Sequence, residues 1–357
     1  MFEAIKAWLI LRDEKKVRLI DKYKILERWG EPVNYIGKPH SDLFDSGYVP
    51  RDTAYAWATA DLSFDIHIDK AFQETEIRFI TILEDEYPKL LKSTYCPPLF
   101  LFYQGNLSLA DGGIAIIGTR TISNYGVRVI NSFVSDFVHN NLTIVSGLSR
   151  GVDAEAHRCA LNNDGNTIAI LPGSLDKIYP ESNRDLAGKI AEQGLLLSEY
   201  QPGEKAERWH FPERNRIISG ISQAVIMIEG GEKSGALITA RFALEQNRLL
   251  YAVPGDITRD TTKGPNRLIA QGATPALSSK AILEDLGIKS EPVKSVTNAR
   301  ENNPLYILIS KTAEPLDMDT LIEVTNQSFG ELAANLLELE MDGLIRRIAG
   351  GRYTAIR

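Results

Sequence analysis

Cationic side chains recur in this sequence at one kind of place, where an apolar run ends at glycine or serine and a helical pattern begins. Arg120 closes Gly118-Thr119-Arg120, just after Ile114–Ile117. Arg150 lies in Ser146-Gly147-Leu148-Ser149-Arg150-Gly151-Val152-Asp153. Arg214 and Arg216 lie in Phe211-Pro212-Glu213-Arg214-Asn215-Arg216-Ile217-Ile218, and Lys233 in Glu229-Gly230-Gly231-Glu232-Lys233-Ser234-Gly235-Ala236. The chemistry these junctions fit is anion binding. Glycine permits a sharp turn, the first amides of a helix are free to donate, and a guanidinium grips phosphate with two bonds. Lys263 and Arg267 open a later helix and extend the set. Phe211, beside the cations, reads either as a ring on which a base stacks, worth roughly 1–3 kcal/mol, or as core packing at a helix start.

Signals for catalysis are missing. No Gly-x-Gly-x-x-Gly follows the first strand, and Glu232-Lys233-Ser234 lacks the upstream glycine spacing of a nucleotide-binding phosphate loop. There is no nucleophile elbow. Asp153, Glu155 and Glu199 lack an obvious partner for general-base work, and Asp153 reads as a neutraliser of Arg150 or a helix cap. Cys96 and Cys159 form no CxxC pair, and His40, His67, His139, His157 and His210 show no metal-ligand spacing. The expectation is no metal, no cofactor and no enzyme.

The elements that must position these residues follow from periodicity. Ile114–Ile117 is a strand buried on both faces. Ser123 or Asn124 caps the next helix, whose Val127, Ile130, Phe133, Val134, Phe137 and Val138 fall at helical spacing. Further strands are expected at Phe79–Leu83, Leu99–Tyr103, Thr143–Ser146, Thr167–Leu171, Leu195–Ser198, Ala224–Ile228, Leu249–Val253 and Thr274–Leu277, with helices between most of them. Alternation of this kind means βαβ units and a mainly parallel sheet. Loops at the carboxyl edge of such a sheet converge, so Arg120, Arg150, Arg214, Arg216 and Lys233 are expected to share one groove.

The fold class expected is therefore α/β, a Rossmann-like mainly parallel sheet flanked by a small N-terminal helical domain and a C-terminal winged helix. The divisions are 1–75, 76–287, a polar linker over 288–303, and 304–357. In the last segment three helices, the third over Phe329–Met341, precede a hairpin. That third helix carries Glu331, Glu338 and Glu340 and no Lys or Arg, which favours protein contact or a stabilising cap over reading duplex DNA. The net charge of −7 over 357 residues argues against a coating for duplex DNA or anionic membrane, and leaves room for one local basic groove. No leader or membrane-spanning run is read, so the expected location is the cytoplasm.

Taken together, these junctions resemble the DNA-processing protein A (DprA/Smf) family of bacteria. The resemblance also rests on Asp85-Glu86-Tyr87-Pro88, Tyr179-Pro180-Glu181-Ser182-Asn183-Arg184, Leu197-Ser198-Glu199-Tyr200, Lys233–Arg241 and Val253-Pro254-Gly255, and covers residues 77–287. Ser149 stands where the family usually has alanine, and Gly264-Pro265-Asn266 where it has Gly-Thr-Asn, a change that stiffens that loop. The N-terminal segment would be the family's sterile-alpha-motif-like module. The resemblance implies a non-enzymatic single-stranded DNA binder that forms a homodimer through its Rossmann-like domain. It implies action in natural transformation, protecting incoming strands and loading the RecA recombinase. Carried over by position, the binding groove is Arg120, Ser146, Gly147, Arg150, Phe211, Arg214, Asn215, Arg216, Lys233, Ser234, Gly235, Lys263 and Asn266. The alternative is a nucleotide phosphoribohydrolase-type enzyme on the same fold, although Lys233 and Ser234 replace that group's Pro-Gly-Gly-x-Gly-Thr-x-x-Glu pattern.

Overall fold

The computed structural model describes residues 2–63, 72, 75–289, 303–312, 315–341, 344–348 and 351–355. The linker expected over 288–303 lies outside the described residues from 290 to 302, as does most of a short helix expected at Ile68–Phe72.

In chain order the main sheet comprises β1 (Arg78–Thr81), β2 (Phe100–Gly105), β3 (Gly113–Ile117), β4 (Ile144–Ser146), β5 (Thr167–Leu171), β6 (Leu195–Ser198), β7 (Ser222–Met227), β8 (Leu249–Ala252) and β9 (Thr274–Pro275). In space the order is β1-β2-β6-β5-β4-β3-β7-β8-β9. From β6 to β9 neighbouring strands are parallel, while β2 runs antiparallel to β6 and to β1. The chain steps outward from β3 to β6, then returns to the far side of β3 with β7. Strand order reverses there, which opens a crevice outside the carboxyl ends of β3 and β7.

Helices cover both faces: α1 (Phe2–Asp13), α2 (Leu19–Trp29), α3 (Arg51–Ala58), α4 (Asn124–His139), α5 (Val152–Asn162), α6 (Arg184–Gln193), α7 (His210–Gly220), α8 (Ala236–Glu245), α9 (Lys263–Ala270) and α10 (Ser279–Asp285). Successive strand residues face opposite ways. Ala115, Ile117, Val225 and Met227 therefore join a core with Ile217 of α7 and Ala240 of α8. Ile114, Ile116, Ala224 and Ile226 join another with Phe133 and Phe137 of α4 and Ala160 of α5. Of the two possible caps, Ser123 starts α4, its extended backbone letting Oγ accept from the Gly126 N–H at 3.3 Å.

The N-terminal helices, expected as a domain over 1–75, pack directly against the sheet. Trp8, Ile25 and Trp57 share a core with Phe100 and Phe102 of β2, and the Trp8 and Phe100 rings meet edge-on at 6.2 Å. That face of β2 is too apolar to leave in water, and the helices cover it. The chain divides into Met1–Ser290 and Glu291–Arg357.

The second unit has α11 (Pro304–Lys311), α12 (Met318–Thr325), α13 (Phe329–Met341) and an antiparallel hairpin of β10 (Ile345–Ile348) and β11 (Arg352–Ala355). Leu305, Leu321, Leu336, Ile345 and Tyr353 make its core. Asn303 and Asp317 cap α11 and α12. Three helices followed by a ribbon constitute a winged helix.

Candidate nucleic-acid interface

A cavity of about 370 Å³ opens where the strand order reverses. Gly118, Thr119 and Arg120 enter it from β3, and Gly231, Ser234 and Gly235 from the loop after β7. Phe211, Arg214 and Asn215 enter from α7, and Ser149 and Asp153 from the start of α5.

Close backbone packing builds this edge. A Cβ on Gly118 would sit 2.6 Å from Val152 and 2.7 Å from the Glu229 carbonyl, so only glycine fits. The Thr119 N–H donates to the Glu229 carbonyl at 2.8 Å, and the Thr119 carbonyl accepts from the Val152 N–H at 3.1 Å. Gly151 has φ +75°, and a Cβ there would lie 2.4 Å from the Thr119 carbonyl. Beneath the loop the buried Glu229 carboxylate accepts from the Ser123 N–H at 2.9 Å, from Ser123 Oγ at 2.7 Å and from Thr261 Oγ1 at 3.3 Å. It also faces the N-terminus of α4, where the helix dipole favours negative charge. Glu229 thus ties three segments of the crevice together.

The rim is cationic and aromatic. Arg120 is exposed, with its guanidinium carbon 5.5 Å from the centroid of the half-buried Phe211 ring. Tyr179, 48% exposed, meets the Phe211 ring edge-on at 5.6 Å. Phe211 is half-buried and lines the cavity. Ser234 and Gly235 form the entry to α8, where Ser234 Oγ accepts from the Ala236 N–H at 3.3 Å. Asn215 reaches across to donate to the Gly235 carbonyl at 3.4 Å. Lys233 is exposed on the same loop and makes no ion pair among the described residues.

Several expected groove residues lie elsewhere. Arg214 is 3% exposed: its Nη1 donates to the carbonyls of Gly147, at 2.7 Å, and Ile170, and its Nε to Asn215 at 3.3 Å. Burial lowers its guanidinium to about 10, with Asp153 pulling the other way, so it stays charged at neutral pH. Burial likewise pushes the Asp153 carboxyl up, opposed by Arg214. Arg214 is a brace at the back of the cavity rather than an open cation. Gly147 presses its Cα against that guanidinium, since a Cβ would come within 2.6 Å of Nη1 and Nη2. Ser146 is buried and donates to the Ile116 carbonyl at 2.6 Å. Asp153 accepts from the Ser149 N–H at 3.2 Å, so it caps its own loop.

Arg216 points away from this cavity. It pairs with Glu199 at 2.5 Å and donates to the Cys96 carbonyl at 2.8 Å, because residues two apart on α7 face different sides. Arg150 is exposed at the margin, its Nε 3.3 Å from Ser182 Oγ. Lys263 pairs with Asp260 at 2.7 Å. Asn266 uses both amide atoms on the Gly255 backbone, accepting at 3.1 Å and donating at 2.8 Å. Pro265 sits in the first turn of α9, where a missing N–H costs no helix bond. Tyr179 and Glu229 stand in the sequence motifs without a role that their types alone announce; what marks them is position, one beside Pro180 and the other just past β7, ahead of Gly230-Gly231.

Known proteins match this chain over the same span. A family model described as DNA recombination-mediator protein A matches residues 78–287, and one described as the DprA winged helix domain matches 299–351. DNA processing protein DprA of Bacillus subtilis (strain 168) is 44% identical over 218 residues, covering 60% of this chain and 73% of that protein. The X-ray structure of DNA processing protein A from Streptococcus pneumoniae superposes with a TM-score of 0.67 at 35% identity, over 78% of this chain and 96% of that one. A Helicobacter pylori DNA processing protein A, whose single-stranded DNA binding mode is the subject of its structure, gives 0.54 at 30% identity, over 59% of this chain and 96% of that one.

Proposed function

This chain belongs to the DNA recombination-mediator protein A family, and from that premise we propose that it binds single-stranded DNA in the crevice between β3 and β7. The observation that carries the proposal is the exposed Arg120 guanidinium over Phe211, at the mouth of a cavity walled by the entry loop of α8. The guanidinium and the loop amides take phosphate, and the ring takes an unpaired base. Bases stacked inside a duplex cannot reach that ring. The net charge of −7 disfavours indiscriminate coating of the surface by DNA. The H. pylori relative's single-stranded DNA binding supports the same ligand here.

In the cell, this activity would protect incoming strands during natural transformation and pass them to the RecA recombinase. The working form would be a cytoplasmic homodimer joined through the α/β unit. Lys233 and Ser234 in the loop after β7 support a binder over a phosphoribohydrolase-type enzyme; release of free base from nucleoside monophosphates would favour the enzyme instead.

The test is a mobility-shift titration with single- and double-stranded oligonucleotides at two salt concentrations. Arg120→Ala and Lys233→Ala should weaken single-strand binding about equally for different sequences. Each should flatten the salt slope by about 0.7 for every phosphate it no longer neutralises. Undiminished binding by both variants would reject the crevice.

A further inference from the structure

We propose that a second unpaired base of the same strand lodges in a cavity of about 550 Å³ on the other side of α7, with Trp209 as its stacking ring. This site rests on the reading above, that a single strand enters at the β3–β7 crevice. Helical spacing feeds the two cavities from one helix: Phe211, Arg214 and Asn215 face the first, Glu213 and Arg216 the second. Both open on the same edge of the sheet, since Glu199 and Tyr200, which line the second, directly follow the carboxyl end of β6. β6 stands three strand spacings from β3, about 14 Å. A strand rising about 3.4 Å per nucleotide, as along a duplex axis, crosses that gap in about four nucleotides, and in fewer if stretched.

The chemistry of the second cavity fits a base and not a phosphate. Four cations line it, matched by the four carboxylates of Asp13, Glu199, Glu204 and Glu213: Arg216 pairs with Glu199 at 2.5 Å and Arg12 with Asp13 at 2.7 Å, Lys22 donates to the Arg12 carbonyl at 2.7 Å, and Lys15 is exposed. A phosphate would meet as many carboxylates as cations, with both arginines already held in ion pairs. A flat, uncharged ring finds Leu19, Leu99 and Trp209. Trp209 is 55% exposed and held by a hydrogen bond from its indole N–H to Glu207 at 2.7 Å. An aromatic this large, exposed and fixed at a cavity mouth is a ready stacking platform. The approach carries the missing charge, because Lys205 and Arg208 are exposed on the preceding loop and make no ion pair among the described residues.

The experiment uses the full chain and fluorescently labelled oligothymidylates of three and twelve nucleotides, read by anisotropy. Trp209→Ala should weaken the twelve-mer about five- to hundred-fold and leave the three-mer unchanged. Trp209→Phe should restore most of that loss, and Arg208→Ala should lower the twelve-mer's salt slope by about 0.7. Arg120→Ala should weaken both lengths. Wild-type affinity for the twelve-mer in Trp209→Ala, or equal losses in the Ala and Phe variants, would overturn the second site while leaving the first standing. Failure of the wild-type chain to bind either length would instead remove the reading on which the site depends.

Discussion

Replacing Arg214 with methionine decides whether this arginine is a brace or a ligand cation. The methionine stem keeps most of the packing volume. What is lost is a charged donor to two carbonyls, Gly147 and Ile170, in a residue only 3% exposed. Hydrogen bonds from a charged group are worth about 1.5–3 kcal/mol each, so the expected loss is about 3–6 kcal/mol. That is a large share of the roughly 5–15 kcal/mol typical of a folded domain. The variant also strips the countercharge from Asp153, whose carboxyl burial already holds above its usual value of 3.8. A carboxyl raised in the folded state contributes stability below its unfolded value and loses it as pH rises through the folded one. The deficit of Arg214→Met should therefore widen as pH rises above about 4, and adding Asp153→Asn should narrow it. Urea unfolding followed by circular dichroism at several pH values measures this, read from the midpoint at constant m. A stability loss under about 1 kcal/mol, together with a salt slope of DNA binding lowered by about 0.7, would refute the brace and make Arg214 a phosphate ligand.

His157 is buried with its Nδ1 2.6 Å from Thr167 Oγ1, and burial, then the charges of Arg214 and Arg158, lower its pKa to about 3. Its contribution to stability is present above pH 6.5 and is lost as pH falls toward 3, at about 1.4 kcal/mol per unit; His157→Gln should flatten stability against pH over that window, measured against wild type by urea titration. Gly151→Ala places a methyl 2.4 Å from the Thr119 carbonyl at φ +75°, so it should destabilise by about 1–3 kcal/mol in thermal melts and weaken single-strand binding by shifting Arg120. Glu229→Gln keeps the volume but gives up the charge that two Ser123 donors and Thr261 share, and should lower stability by about 1–3 kcal/mol in the same melts.

The strands were legible because apolar runs such as Ile114–Ile117 and Thr167–Leu171 are short, rich in β-branched residues and bounded by glycine, asparagine or proline, which favours a strand over a buried helix. From the rule that strand ends meet at one edge, Arg120, Arg150, Arg214, Arg216 and Lys233 were expected to share a groove, and of these Arg120 and Arg214 line the cavity. The depth of each cation was not legible. Arg214 and Arg216 look alike in sequence, yet one holds carbonyls behind the cavity and the other pairs with Glu199 on the opposite side of α7. Helical spacing separates them only once the start of α7 is known. Asn266 was hidden for a related reason: its partner, the Gly255 backbone, is eleven residues back in a loop with no periodicity.

The rings of Phe79 on β1 and of Phe100 and Phe102 on β2 lie 5.0–5.7 Å from one another, on the sheet face that the N-terminal helices cover. A shortened protein beginning at Arg78, where the family match starts, would expose that aromatic cluster to water. Contiguous apolar surface of this kind drives chains to stick to one another. Amino-terminal residues that bear no shared motif would thus act as the solubilising lid of the portion that does, and trimming to the homologous span would yield aggregates instead of a minimal binder.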